Sequence, residues 1–147
     1  MSLQQKVMEQ LKLAMKAKDK VALESLRAIK SALLMVSTSG DGEITEDDEI
    51  QLVQKLVKQR KDSAAIFIEQ GRQDLADPEL AQIAVIEQFL PEQLTEEEVE
   101  KVVVQTIDSI GASGMKDMGK VMGIVSKELA GQADGKLIST IVKKKLS

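Results

Sequence analysis

An all-α fold of two small helical subdomains is what this chain predicts, and three observations carry that reading. Apolar residues recur three and four positions apart along almost its whole length. No stretch shows the two-residue alternation of a half-buried strand. Phe67 and Phe89 are the only aromatic residues among 147. The core must therefore be built from Leu, Ile, Val, Met and Ala, a palette that suits packed helices better than a sandwich or barrel.

The elements follow in order. Leu3, Val7, Leu11 and Met15 stand four apart and mark one stripe of a first helix. Asp19 is placed to cap a second, with Ala22, Leu26, Ile29, Leu33 and Val36 on one face. The run STSGDGE, 37–43, reads as a loop, with Asp41-Gly42 as its turn signal. Thr45, followed by Glu46, Asp47 and Asp48, opens a third helix, the acids lying where the helix dipole favours them. It runs for about seven turns to Gly71, a natural stop. Ile50, Val53, Val57, Ala64 and Phe67 form one stripe on it, and Leu52, Leu56, Ser63 and Ile66 a second. A helix apolar on two adjacent faces is expected to be gripped by two partners.

Asp77-Pro78 reads as an N-cap followed by proline at the first helical position. The helix it opens, through Ile83, Ile86 and Phe89, should stop before Pro91. Thr95 with Glu96, Glu97 and Glu98 repeats the start signal; Val99, Val102, Val103, Thr106, Ile107 and Ile110 give the stripe, and Gly111 and Gly114 end it. Met118, Val121, Met122, Val125 and Leu129 mark another helix, closed by Gly131. Asp134 caps a last one bearing Leu137, Ile138, Ile141, Val142 and Leu146. The joint is expected in LPEQLT, 90–95. It divides an N-terminal bundle with one long helix, 1–91, from a smaller C-terminal bundle, 92–147.

Composition excludes several chemistries. With no histidine and no cysteine, the commonest general base, the commonest metal ligand and the most reactive nucleophile are missing. The three successive glutamates at 96–98 diverge around a helix and mark its start rather than a metal site. No apolar run reaches the roughly 18 residues of a membrane span, and MSLQQKVMEQ does not resemble a signal peptide, so a cytoplasmic protein is expected. Net charge is −4, which alone argues against nucleic-acid binding. Its distribution is more informative: residues 1–40 carry +4, 77–100 carry −8 and 113–147 carry +4. Such asymmetry marks either a polyanion-binding face or attraction between subdomains.

Two stretches concentrate candidate chemistry. In DMGKVMG, 117–123, Gly114, Gly119 and Lys120 imitate a phosphate-binding loop, but Val121 replaces the required Ser or Thr and no strand precedes it. Two readings remain for Gly119 and Gly123: close helix packing, or bare backbone that meets a phosphate beside Lys120. In KLVKQRKDS, 55–63, Lys55, Lys58, Arg60 and Lys61 form a secondary basic patch, with Lys58 four residues before Asp62. Arg60 interrupts the apolar stripe, so it is expected to pair with a buried acid or the subdomain seam, with Asp74 or an acid from 77–100 as the natural partner.

VKQRKDS, GRQDLADPE, FLPEQLTEEE, DMGKVMG and GQADGK occur in this order across nearly the whole chain. Together they resemble the YqeY family, whose members are similar to the C-terminal helical and tail region of the B subunit of tRNA-dependent amidotransferases. The resemblance implies that 92–147 corresponds to the amidotransferase tail, a region implicated in contacting tRNA. It carries over no catalytic residue, cofactor or metal. The partners it implies are tRNA or an aminoacyl-tRNA-handling enzyme. The expected RNA-contacting residues are Lys116, Gly119, Lys120, Gly123, Lys127, Lys136, Lys143, Lys144 and Lys145. With so few aromatics to stack on bases, contact should be to phosphate and shape. Two rivals stand beside this reading. One is a component of a carbon–nitrogen ligase with glutamine as amide donor, its active site supplied by a partner chain. The other is a protein-interaction adapter that never touches RNA.

Overall fold

The computed structural model of the protein describes residues 2–40 and 43–147; the expected Asp41-Gly42 turn lies outside them. Among the described residues all regular structure is helical. The elements are α1 (Leu3–Ala17), α2 (Lys20–Ser39), α3 (Glu46–Glu69), α4 (Gln73–Glu87), α5 (Glu96–Ile110), α6 (Met118–Glu128) and α7 (Gly135–Leu146). A single 3₁₀ turn, Met115–Asp117, leads into α6. The chain divides into two compact units, Met1–Leu90 and Pro91–Ser147.

Most helix ends are set locally. The hydroxyl of Thr45 accepts the N–H of Asp48 at 3.1 Å, while the Asp48 carboxylate accepts the N–H of Thr45 at 3.0 Å. Thr95 and Glu98 form the same reciprocal pair at the start of α5. Asp19 and Asp134 accept backbone N–H groups of the first turns of α2 and α7. Each such cap contributes about 1 kcal/mol. Gly71 and Gly111 adopt the left-handed conformation, φ 73° and 65°, where they end α3 and α5.

One start signal misleads. α4 begins at Gln73, so Pro78 is its sixth residue rather than its first, and Asp77 does not cap it. The chain turns early because the Schellman-type bonds after α3, with the Arg72 N–H on the carbonyl of Phe67 at 2.7 Å, re-aim it at once. Arg72 then clamps Asp74 through two guanidinium bonds of 3.0 and 2.9 Å, and the N–H groups of Leu75 and Ala76 bond the Arg72 carbonyl. The missing N–H of Pro78 leaves the carbonyl of Asp74 without its helical partner. Pro78→Ala should therefore stabilise the first unit, by about 1–2 kcal/mol once the entropy of the unfolded chain is discounted. Urea unfolding followed by circular dichroism measures it; a loss of stability would show that the proline ring packs usefully.

The first unit's core joins α1 (Leu3, Val7, Leu11, Ala14), α2 (Leu26, Ile29, Leu33), α3 (Val53, Val57) and α4 (Ile83, Ile86). Three ends of the expected stripes lie outside it. Met15, Val36 and Ile66 are exposed, and Ala14 takes the place of Met15. A four-residue step overshoots one helical turn by about 40°, so the strictly four-spaced stripe of α1 drifts off the core within three steps and carries Met15 out of it. The second stripe of α3 is correspondingly weak: Leu52 and Leu56 are half-buried and pack on the core edge.

Arg60 is half-buried, but its partner is not an acid. Its Nε donates to the side-chain carbonyl of Gln82 at 2.9 Å, and a terminal nitrogen donates to the carbonyl of Leu56 at 3.1 Å. The amide nitrogen of Gln82 in turn donates to Glu24 at 3.2 Å, linking α3, α4 and α2. Asp74 is already held by Arg72, and Glu87 pairs with Lys61 at 3.6 Å. A neutral amide satisfies the guanidinium without stripping water from a second charge.

The second unit has its own core, from Val99 and Val103 of α5, Val121 and Val125 of α6, and Ile138, Ile141, Val142 and Leu146 of α7. The residues that open it are anchored to it. The N–H of Leu94 donates to the carbonyl of Gln132 at 2.8 Å, and the Gln93 amide donates to the carbonyl of Gly131 at 2.6 Å. Gly131 is buried with φ 78°, so the turn after α6 doubles as the acceptor for this opening segment.

Candidate nucleic-acid interface

α6 is amphipathic, and its geometry decides which residues meet solvent. Val121 and Val125 are fully buried. At 100° per residue, Gly119, Gly123, Lys127 and Lys120 fall within an arc of about 100° on the opposite side of the helix. All four are exposed. A Cβ built on Gly119 or Gly123 meets nothing within 4 Å. Within the unit, close helix packing is therefore not the reason for either glycine, because none of its helices approaches that side. Gly123 sits in the body of α6, where glycine costs about 1 kcal/mol relative to alanine, and Gly119 in its first turn, where the cost is smaller.

The residues before α6 add a further exposed cation. Lys116, in the 3₁₀ turn, is exposed. The carboxylate of Asp117 accepts the N–H of Ser113 at 2.9 Å and so closes the turn beneath it. Gly114, with φ 77°, makes the reversal possible. Two apolar side chains, Met115 and Ile124, are also exposed beside the lysines. The result is a ridge of bare backbone flanked by Lys116, Lys120 and Lys127, none of which forms an ion pair among the described residues. It is suited to close approach by an extended anion.

The other expected cations are placed differently. Lys136 is exposed in the first turn of α7, its N–H held by Asp134. Lys143, Lys144 and Lys145 are exposed in the last turn of α7 but fan around the helix at 100° intervals. Lys145 is occupied: its ammonium lies 2.6 Å from Glu100 of α5. Hydrogen bonding to Lys145 and its charge, helped by Lys144, hold the Glu100 carboxyl below its usual range. A depressed carboxylate keeps this tie at neutral pH and releases it only as pH falls through that lowered range. In the first unit's basic patch, Arg60 and Lys61 are engaged by Gln82 and Glu87, while Lys55 and Lys58 are exposed. The anticipated Lys58–Asp62 ion pair does not form.

Of the expected set, the fold thus gathers Gly119, Lys120, Gly123 and Lys127 on one face of α6, with Lys116 exposed in the turn just before it. The openness of the two glycines was legible in principle, since both positions lie opposite Val121 and Val125 on a helical wheel. Among the described residues no cluster of acids is arranged to hold a metal ion, and no helix is long and apolar enough to cross a membrane.

Comparison with known proteins gives a consistent result. Residues 4–146 match the family described as "Yqey-like protein". The E subunit of glutamyl-tRNA(Gln) amidotransferase from Thermococcus gammatolerans is 38% identical over 104 residues, covering 68% of this chain and 17% of that protein. The chain therefore corresponds to a small part of that larger polypeptide. The mitochondrial protein named altered inheritance of mitochondria protein 41, from Pyrenophora tritici-repentis, is 31% identical over 125 residues, covering 84% of this chain and 68% of that protein. The corresponding amidotransferase polypeptide of Methanococcus maripaludis (strain C5) is 44% identical over 48 residues, 33% of this chain and 8% of its own length.

Proposed function

Because the chain belongs to the YqeY family, we propose that it acts as a non-catalytic helical module associated with tRNA-dependent amidotransferase machinery, and that it contacts tRNA through the exposed face of α6. One observation carries the contact: Gly119, in the first turn of α6, and Gly123, in its interior, have no packing reason within their unit to be glycine, and they stand beside lysines that form no ion pair among the described residues. Helix propensity alone would place alanine there. Bare backbone beside cations suits a phosphate chain, which it can approach without a side chain between them.

The chemistry of amide transfer would come from other polypeptides. These 147 residues contain no histidine or cysteine, and their similarity covers a small fraction of a much larger amidotransferase chain. The role left to the protein is to hold RNA, or to hold the enzyme that handles it. With no tyrosine or tryptophan, recognition would rest on backbone charge and shape, and so fall steeply with salt.

The double substitution Gly119→Ala, Gly123→Ala tests this directly. Gly123→Ala should stabilise the second unit by about 1 kcal/mol and Gly119→Ala, in the first turn, by less, since both sites are open and helical. tRNA binding should weaken at the same time, because two methyl groups now stand on the ridge. Thermal unfolding and filter binding at low salt measure the two effects. Higher stability with unchanged tRNA affinity would remove the backbone from the contact. Failure of the wild-type chain to bind tRNA or to co-purify with amidotransferase components would overturn the reading as a whole.

A further inference from the structure

The first unit carries a feature of a different kind. α1 and α2, joined by only Lys18 and Asp19, form an antiparallel hairpin whose inner faces meet in the core. Along one flank they leave a cleft of about 680 Å³. Its apolar lining comes from Val7 and Met8 of α1, Leu33 and Leu34 of α2, and Ile44. Met8 is 38% exposed and Leu34 64%. Arg27 and Lys30 stand on its α2 side, and neither forms an ion pair among the described residues. Glu43 and Glu49 mark the far end, where Glu49 is committed to the N–H of Leu3 at 2.7 Å.

We propose that this cleft is a docking groove for an amphipathic helix of a partner protein, one whose apolar stripe is flanked by acidic residues. The lining stretch of α2, from Arg27 to Ser37, is roughly 15 Å long at 1.5 Å per residue, enough for about three turns of a helix. Two antiparallel helices with a shared apolar flank leave the groove that a third helix fills by ridge-and-groove packing. Met8 supplies a side chain that adapts to different anchors. The cations select the partner by charge: Arg27 and Lys30 line the cleft and form no ion pair among the described residues, whereas of the two acids at its far end Glu49 is already committed to the N–H of Leu3. A nucleic acid is the poorer fit, because Met8 and Leu34 offer it neither charge nor stacking. A lipid surface is also poorer, because a flat bilayer does not enter a concave groove. This inference concerns the first unit and is independent of the tRNA contact assigned to α6.

The test uses the full chain labelled with ¹³C at its methionine methyl groups. The probe is a synthetic helical peptide of about five turns, with leucines three and four apart flanked by glutamates. A second peptide carries lysines in place of the glutamates, and vesicles of phosphatidylglycerol and phosphatidylcholine serve as the lipid arm. The glutamate peptide should shift the Met8 resonance and leave Met118 and Met122, in the other unit, unmoved. Arg27→Glu with Lys30→Glu should weaken that binding on the order of ten-fold. Leu34→Asp, at a site exposed enough to spare the fold, should weaken it as well. Equal binding of both peptides, a Met8 shift with vesicles alone, or a shift that follows protein concentration without any probe would each overturn the proposal. So would the absence of any Met8 shift.

Discussion

Replacing Lys116 and Lys120 together by glutamate should lower tRNA affinity on the order of ten-fold or more at low salt, with thermal stability almost unchanged. Both side chains are exposed and neither is in an ion pair among the described residues, so the fold loses nothing specific when they change; surface substitutions of this kind usually stay within about 0.5 kcal/mol. Binding loses two phosphate contacts and gains two repulsions. The slope of log affinity against log salt should flatten by about 0.7–0.9 for each contact removed. Reversal of Lys143, Lys144 and Lys145 is the internal comparison and should matter less, since these cations diverge around α7 and Lys145 is held by Glu100. Glu100→Gln sharpens the point by releasing Lys145 and removing a nearby negative charge, so affinity should rise slightly rather than fall. Anisotropy titrations at several salt concentrations measure all four proteins. Identical curves would take α6 out of the interface, and a dominant effect from 143–145 would move the contact to the end of α7.

Ile86→Ala should destabilise the first unit by about 2–5 kcal/mol, the cost of lost burial plus the cavity left behind. Ile86 is 0% exposed and belongs to the cluster that joins α4 to α1, α2 and α3. Few side chains nearby can swing in, because the core contains no tryptophan or tyrosine and is already closed by β-branched and leucine side chains. Domains of this size hold only about 5–15 kcal/mol in all, so the loss is a large share. Leu80→Ala, on the same helix but 42% exposed, is the control and should cost far less. Urea unfolding read by circular dichroism gives the magnitude. Methionine methyl resonances locate it: Met8 should report the earlier transition, and Met118 and Met122, which pack on the second core, should not. A loss below about 1 kcal/mol would show that α4 does not close this core.

The sequence by itself determined the helical class, most helix boundaries and the face of most helices. These are properties of short range: an Asp or Thr accepts N–H groups two or three residues away, a glycine takes the left-handed conformation at its own φ, and a three–four stripe defines a face without reference to a partner. Thr45, Thr95, Asp19, Asp134, Gly71 and Gly111 all act where such rules place them. Tertiary structure decided what depended on a neighbour. Asp77-Pro78 carries a strong local start signal, yet the tight reversal after α3 and the Arg72–Asp74 clamp begin α4 five residues earlier. Arg60 signalled a buried partner, but its identity as Gln82 depended on the register of α4 against α3, which no local pattern encodes. Met15 continued a four-spaced stripe that turns off the core face, where Ala14 is buried in its place. Gly119 and Gly123 had two readings that differ only in whether another helix lies beside them. The fold of the second unit leaves that side open, and with it the surface where the lysines of α6 stand.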